Sequence, residues 1–319
     1  MIVTDMEVYR YGQETIPRIA DATVTIGIFD GVHLGHHHLL NEVLKGPHPT
    51  VVTFDPHPRH VLTKGLQRLK ILTPVEEKLR KLAELGIERT IIIPFNRDVA
   101  DLNAESFLRD ILVNSVGMAT LVVGFNHSFG RNREGNIDFM RAHEKVYGYK
   151  LIVMEAHEQD ALAVSSTRIR SSLETGKLDD ATRFLGDNYR TKAKVVSGEG
   201  RGRDLGYPTA NLEFFDCDQL QPAEGVYAVR VRLDNQSWLN GVASIGRKET
   251  FGDYYDVTVE VHIFDQKLDL YDQVVWVEWI EFLREQKAFG SVEDLIDQMD
   301  EDSRRARMIL KNLEGSTKT

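Results

Sequence analysis

The chain has 319 residues, a length typical of roughly two domains. Its formal net charge of −10 argues against nucleic acid or an anionic membrane as the main partner, and 42% hydrophobic residues suffice for globular cores. A single cysteine, Cys217, excludes an internal disulfide. The first residues do not form a signal-peptide pattern, and no apolar run reaches the ~20 residues of a membrane span. We therefore expect a cytoplasmic protein.

Up to about residue 186, apolar strand-like runs alternate with helix-like runs. The strand-like runs are Val24–Ile28, Val51–Phe54, Thr90–Phe95, Leu121–Gly124 and Leu151–Met154. The helix-like runs are Leu39–Leu44, Pro74–Leu85, Ala104–Val116 and Glu134–Tyr147. Thr73 and Glu76 suit a capping box at the start of the second of these helices. The alternation predicts an α/β fold with a doubly wound parallel sheet that binds its ligand beyond the carboxyl ends of the strands.

A glycine-rich turn with histidines connects the first strand to the first helix. It reads GIFDGVHLGH from Gly27 to His36. Glycines allow a ligand to approach the backbone, and a helix N-terminus favours an anion. His33 and His36 share one face and can donate to phosphoryl oxygens, which indicates charge stabilisation in phosphoryl or nucleotidyl transfer. The same spacing occurs in surface helices and zinc sites, but a further zinc ligand is not evident from the spacing.

Three more polar motifs follow strands or open a helix in the first half. They read FDPHPR from Phe54, VGFNHSFGRNREG from Val123 and SSTRIR from Ser165. Taken alone, they are typical of a proline turn, a solvated basic loop and an N-cap. Since His33, Asp55 and Asn126 all follow apolar strands, we expect them at one edge of the sheet.

The pattern changes after a polar stretch, Gly176–Arg190, where we predict a linker and a domain boundary between 1–186 and 187–319. Successive strands without helices between them predict a small antiparallel barrel. These strands are Val226–Leu233, Val257–Phe264 and Gln273–Phe282. Ser291–Leu313 is predicted to close the chain as a helix capped by Ser291.

The second half carries a glycine-arginine loop and a strand carboxylate. The loop reads GEGRGRDLGYPTANL from Gly198 to Leu212. It is not the dinucleotide-binding pattern, because Arg203 stands at the third glycine position and no helix follows. Glu260 faces away from the apolar row of its strand. Such a carboxylate is either solvated or accepts the proton of a hydroxyl nucleophile.

The motifs of the first half resemble the HxGH nucleotidyltransferase superfamily, and the F-D-G variant resembles its bacterial FAD synthetase branch. The text GRDLGYPTANL resembles the flavokinase signature. The whole chain is thus similar to the bacterial bifunctional riboflavin kinase/FAD synthetase family. It departs from that family at His127, where phenylalanine is usual, at Asp272, which replaces glycine, and at Lys248 and Glu249, where arginine and proline are usual.

The resemblance implies phosphorylation of riboflavin to FMN in the second domain and adenylylation of FMN to FAD in the first, with ATP as co-substrate and Mg²⁺ as cofactor. It implies His33, His36 and Glu260 as catalytic residues and Thr209 and Asn211 as Mg²⁺ ligands. It implies nucleotide binding by Gly27, Phe29, Asp30, Gly35, Asn126, Ser166, Thr167, Arg170, Gly198, Gly200, Gly202 and Arg203. It implies flavin binding by Phe54, Asp55, Pro56, His57 and Arg284.

Other functions remain open from the sequence. The chain could be an FMN adenylyltransferase with a degenerate kinase half, around Lys248 and Glu249. It could also be a flavin-binding sensor or carrier without turnover. A third alternative is a different HxGH transferase, acting on pantetheine phosphate or nicotinate mononucleotide, which would leave the second half without a role. The oligomeric state is not indicated by the sequence.

Overall fold

The computed structural model describes residues 6–63, 68–155, 164–197, 206–233, 236–249, 255–266 and 270–316. The chain divides into two compact units, Met1–Ser166 and Thr167–Thr319. Among the helices of the described residues, none is both long and apolar enough to cross a bilayer.

The first unit is built on a six-stranded parallel sheet in the order β1-β4-β3-β2-β5-β6. Its strands are β1 Glu7–Arg10, β2 Ala22–Ile26, β3 Thr50–Asp55, β4 Arg89–Pro94, β5 Met118–Gly124 and β6 Lys150–Met154. Because all strands run the same way, their carboxyl ends meet at one edge. The chain leaves β2 toward β3 and returns on its other side as β5. This reversal of strand order is where sheets of this kind bind ligands.

Helices cover both faces of this sheet. They are α1 Leu34–Val43, α2 Pro58–Leu62, α3 Val75–Glu84, α4 Arg97–Asp101, α5 Ala104–Ser106, which continues as a π-helix over Phe107–Val116, and α6 Ile137–Tyr147. One apolar core includes Leu40 and Leu82 from α1 and α3, and the other includes Leu108 and Met140 from the π-helix and α6. The predicted doubly wound parallel sheet is therefore confirmed.

The predicted capping box at the start of α3 is wrong. The N-cap of this helix is Pro74, whose side chain cannot accept a capping hydrogen bond. The Thr73 hydroxyl is engaged elsewhere, because its Oγ1 accepts a hydrogen bond from the backbone N–H of Gly31 at 2.9 Å. A tertiary contact with the glycine-rich turn has taken the place of a local one.

The second unit is a closed antiparallel barrel in the order β10-β11-β8-β7-β12-β9. Its strands are β7 Tyr189–Val196, β8 Ala210–Phe214, β9 Gly225–Leu233, β10 Leu239–Glu249, β11 Tyr255–Ile263 and β12 Val274–Arg284. Its helices are α7 Ser166–Glu174, α8 Leu178–Leu185 and α9 Val292–Ser316. Val229, Val277 and Trp279 are fully buried, and every second residue of β7 is buried, as expected for a barrel strand. The predicted small barrel is confirmed.

The predicted linker at 176–190 is wrong as a structural assignment. This stretch contains α8 and the start of β7, and α8 buries Leu178, Ala181, Phe184 and Leu185. Its polar composition belongs to one face of an amphipathic helix. The predicted cap of the last helix is confirmed, because Ser291 Oγ accepts a hydrogen bond from the Asp294 backbone N–H at 3.1 Å.

A buried ion pair joins β12 to α9. The guanidinium of Arg284 donates to both carboxylate oxygens of Asp302, with Nη2 at 2.7 Å from Oδ2 and Nε at 3.0 Å from Oδ1. Their side chains are only 12% and 4% exposed. Replacing Arg284 by methionine leaves a buried carboxylate without its charge partner, which we expect to cost about 3–5 kcal/mol of unfolding free energy.

Urea unfolding followed by tryptophan fluorescence measures this cost. The three tryptophans of the chain, at positions 238, 276 and 279, all lie in the second unit, so the signal reports that unit. Arg304→Met is the matched control, because its partner Glu301 lies in the same helix and both side chains are exposed. The control should change stability by no more than about 0.5 kcal/mol. Equal effects of both substitutions would contradict a buried pair.

Candidate active sites

The glycine-rich turn after β2 has a strained backbone. Phe29, Gly31 and Val32 all have left-handed conformations, with φ of 51°, 91° and 42°. Phenylalanine and valine rarely adopt such φ values, and residues held in this way concentrate at functional sites. Gly27 and Gly35 keep the turn open, because a Cβ at either position would come within 3.0 Å of the Phe29 ring or 3.2 Å of the His33 ring.

Asp30 holds this turn in place. Its Oδ1 accepts hydrogen bonds from the backbone N–H groups of Leu72 and Thr73, at 2.9 and 3.1 Å, and the residue is 4% exposed. Its backbone carbonyl accepts a hydrogen bond from Ser166 Oγ at 2.8 Å. The fold thus brings Asp30 and Ser166 together. The Asp30 carboxylate thus serves as a brace: its hydrogen bonds fix the position of the turn within the protein.

His33 and His36 form a stacked pair at the start of α1. His33 is the N-cap, and its Nδ1 accepts a hydrogen bond from the His36 backbone N–H at 3.3 Å. A neutral His33 ring that accepts at Nδ1 carries its proton on Nε2. The ring centroids lie 3.7 Å apart with 14° between the planes, and the edge of Phe29 packs against His36 at 5.1 Å.

The surroundings of His36 favour its neutral form. Burial lowers the pKa of this imidazole well below its usual value, and His33, His37 and Lys78 lower it further by charge repulsion. Its Nδ1 is buried and has no hydrogen-bond partner among the described residues. Buried ring nitrogens normally find a partner, so an unpaired one in a strained turn is consistent with a functional role.

The residues after β3 form the lip of the same edge. Asp55 is half-buried, and its carboxylate lies 4.0 Å from Arg10 Nη1. The peptide bond between Asp55 and Pro56 is cis. His57 caps α2, since its Nδ1 accepts from the Arg59 backbone N–H at 3.1 Å. The ligand contacts assigned to this lip stay predictions.

An aromatic group lies beside the lip. The Phe107 ring centroid is 6.3 Å from that of Phe54 and 5.3 Å from that of Phe129. His127, which departs from the family pattern, lies 6.2 Å from Phe129. Burial, together with the charge of Arg133, lowers the pKa of His127 to about 4, so this ring is neutral at physiological pH. Asn126 is exposed just after β5.

Thr167 and Arg170 lie on α7, in the second unit. Thr167 is exposed and follows Ser166 directly in the chain, whereas Arg170 is only 8% exposed. Their predicted contact with ATP phosphates stays a prediction.

In the second unit, Glu260 lies in the middle of a row of polar residues across the barrel. The strand register pairs Glu260 on β11 with Ser244 on β10 and with Asn211 on β8. Thr209 Oγ1 donates a hydrogen bond to Glu260 Oε2 at 3.2 Å. The fold therefore brings together the three residues predicted as the base and the metal ligands. Their oxygen atoms are of the type that Mg²⁺ prefers.

Other predicted binding residues either lie outside the described residues or already have a protein partner. Gly198, Gly200, Gly202 and Arg203 lie outside the described residues. Arg284 pairs with Asp302, so the guanidinium expected to bind flavin already has a protein partner.

Sequence reasoning missed Lys78, which belongs to the first site. This residue of α3 is 5% exposed, and its ammonium donates to Thr53 Oγ1 at 3.3 Å. Asp30, Asp55 and His36 all interact with it electrostatically. A lysine in a helix is normally a solvated residue, so the only signal for Lys78 in the sequence was its position in an amphipathic run.

The two units define a nucleotide-binding α/β enzyme joined to a small barrel with its own polar site. The FAD synthetase family matches residues 16–168, and the riboflavin kinase family matches residues 185–310. The bifunctional riboflavin kinase/FMN adenylyltransferase of Listeria monocytogenes is 34% identical over 296 residues, covering 91% of this chain and 93% of that protein. The enzyme of the same name from Escherichia coli K12 is 34% identical over 289 residues, covering 89% and 91%.

A solved structure has the same fold over nearly the whole chain. It is described as a macrolide-efflux protein from Streptococcus pneumoniae, with a TM-score of 0.84, 30% identity, and coverage of 95% of this chain and 99% of that one. That description concerns the other protein alone. Matches to both families and to full-length relatives agree with each other. The chain belongs to the bifunctional riboflavin kinase/FMN adenylyltransferase family.

Proposed function

We propose that the second unit phosphorylates riboflavin to FMN, and that the first unit adenylylates FMN to FAD, with ATP as co-substrate of both reactions. The match to both families carries this proposal. It also argues against a lone adenylyltransferase and against a transferase for pantetheine phosphate or nicotinate mononucleotide. Domain limits of 1–186 and 187–319 and a cytoplasmic location belong to the same proposal.

In the adenylylation reaction, a phosphate oxygen of FMN attacks the α-phosphorus of ATP, and the bond to the leaving pyrophosphate breaks. No covalent enzyme intermediate is required, so positioning and charge stabilisation do the work. His33 can donate from Nε2 into this site, because its Nδ1 is occupied by the His36 backbone N–H. His36, kept neutral by burial, supplies a second imidazole beside it. The Asp30 brace holds the turn that positions both rings.

In the kinase reaction, the 5′-hydroxyl of riboflavin attacks the γ-phosphorus of ATP, and ADP leaves. Glu260 orients this hydroxyl and accepts its proton. The residues around Glu260 fit a Mg²⁺ ion, since Thr209 and Asn211 supply neutral oxygen donors next to its carboxylate. Bound Mg²⁺ would neutralise phosphate charge and orient the γ-phosphoryl group. The hydrogen bond from Thr209 holds the carboxylate next to the residues that lead into β8.

Mass analysis of the products tests the proposal. With riboflavin, ATP and Mg²⁺, we expect FMN to appear first and then FAD with pyrophosphate. With FMN as the starting flavin, FAD should form without the kinase step. If FMN never forms from riboflavin, the kinase half is degenerate. Tight flavin binding without any product would indicate a sensor or carrier instead.

A further inference from the structure

Lys78 is an unusual buried charge close to the glycine-rich turn. Its side chain is 5% exposed, yet among the described residues its ammonium makes one hydrogen bond, at 3.3 Å to Thr53 Oγ1. An ammonium carries three N–H donors, and a buried charge is costly unless it is paired. Salt bridges within 4 Å are not observed for Lys78 in the described part of the chain, although Asp30 and Asp55 lie within electrostatic range.

A chain of contacts connects Lys78 to the catalytic turn. Thr53 Oγ1, which accepts from Lys78, itself donates to the backbone carbonyl of Ile28 at 3.2 Å. Ile28 lies in the turn, next to the strained Phe29. The charge of Lys78 also acts on His36. The ammonium is thus linked to the backbone of the turn through Thr53 and acts electrostatically on one of the imidazoles of the site.

Burial disfavours the charged form of Lys78, and two nearby carboxylates favour it. Burial lowers the pKa of its ammonium, and the carboxylates of Asp30 and Asp55 counter that shift. Asp30 is already used as a brace by backbone N–H groups, and Asp55 is half-exposed near Arg10. Neither carboxylate is therefore dedicated to Lys78, so its positive charge can act on an anion bound at the turn.

We propose that Lys78 is a positioning residue for adenylyl transfer: its buried charge, linked through Thr53 to the turn from Gly27 to Val32, offsets the negative charge that grows on the reacting phosphates. It acts through Thr53 and the turn, and it need not touch the flavin or the nucleotide. Negative charge develops as the new oxygen–phosphorus bond forms and the bond to pyrophosphate breaks. A fixed cation in a low-dielectric environment stabilises such charge more than it would in water.

The inference rests on the proposed adenylylation in the first unit, and Lys78→Gln tests it. Glutamine keeps a donor for Thr53 Oγ1 but removes the charge. We expect kcat for FAD formation from FMN to fall by about 10- to 100-fold, with KM for FMN and ATP within about threefold of the original. Lys78→Arg, which keeps the charge, should recover most of kcat. Riboflavin phosphorylation by the same preparation should not change.

Lys81→Gln is the matched control. Lys81 lies one turn further along α3 and is also buried, at 9% exposure. Its substitution should leave kcat within about threefold. An equal loss in both glutamine variants would overturn the proposal, as would unchanged kcat in Lys78→Gln or a loss confined to KM.

Hydrogen exchange of the β2–β5 peptides monitors the folding of the first unit, which contains no tryptophan. If Lys78→Gln loses protection there, Lys78→Arg decides: near-normal kcat supports the proposal, and a 10-fold or greater loss in a protected protein overturns it. The proposed imidazole roles fail separately, if His36→Ala leaves FAD formation intact. Absence of FAD formation by the unsubstituted chain would instead refute the proposed adenylylation itself.

Discussion

Replacing His36 by alanine is expected to lower FAD formation from FMN by at least about 10²-fold, while riboflavin phosphorylation continues. The His36 ring stacks on His33 at 3.7 Å, next to the strained turn. Its removal takes away one donor to the developing charge, and His33, the second donor, loses the ring on which it stacks. Losing one preorganised donor typically costs about 10²–10³ in kcat. The product ratio of FMN to FAD, measured by mass analysis from riboflavin, gives the result directly.

His38→Ala is the matched control for this substitution. It lies on the same helix, two residues further on, and its side chain is exposed. We expect FAD formation by this variant to stay within about threefold of the original. Near-normal FAD formation by a folded His36→Ala protein would refute the role of the imidazole pair.

Glu260→Gln is expected to have the opposite pattern, with riboflavin phosphorylation reduced by about 10²–10⁴-fold and FMN adenylylation retained. Glutamine preserves the shape of the side chain and can still accept from Thr209 Oγ1, which now lies at 3.2 Å from Glu260 Oε2. It cannot accept the proton of the riboflavin hydroxyl or balance the charge of a bound cation. FMN formation in the first minutes of the reaction measures the kinase step alone.

Glu213→Gln serves as its control, because Glu213 lies on the neighbouring strand β8 with an exposed side chain. It should leave both activities unchanged within about threefold. Loss of both activities in folded Glu260→Gln would mean that the two reactions do not occupy separate sites.

The sequence predicted those parts of the fold whose signal is local. Continuous apolar runs identified the inner strands of the parallel sheet, because such strands are covered on both faces. β1 Glu7–Arg10 was missed, since it is a short, polar strand at the sheet edge. β7 Tyr189–Val196 was also missed, although only its first two residues lie in the supposed linker. Its alternation was nevertheless readable, because Tyr189, Thr191, Ala193 and Val195 are buried and their lysine and arginine neighbours are not.

Site residues that belong to motifs were predicted from the sequence. Site residues and contacts that depend on long-range packing were missed. Glu260, Thr209 and Asn211 were predicted from the family resemblance, and the register of β8 and β11 brings them together. Lys78 is buried because α3 turns a face containing charged residues toward the sheet, which no single-sequence pattern states. For Arg284, the sequence could not indicate that Asp302 already occupies its guanidinium.

The most direct test of two separate sites in one chain is to mix two full-length variants, each of which is impaired in one of the two reactions. Purified His36→Ala can make FMN from riboflavin, and purified Glu260→Gln can convert FMN to FAD. Each variant alone should form FAD from riboflavin, ATP and Mg²⁺ at least about 10²-fold more slowly than the unsubstituted chain, whereas an equimolar mixture should form it rapidly. A mixture that yields no FAD, while each variant retains its own half-reaction, would contradict two separate sites.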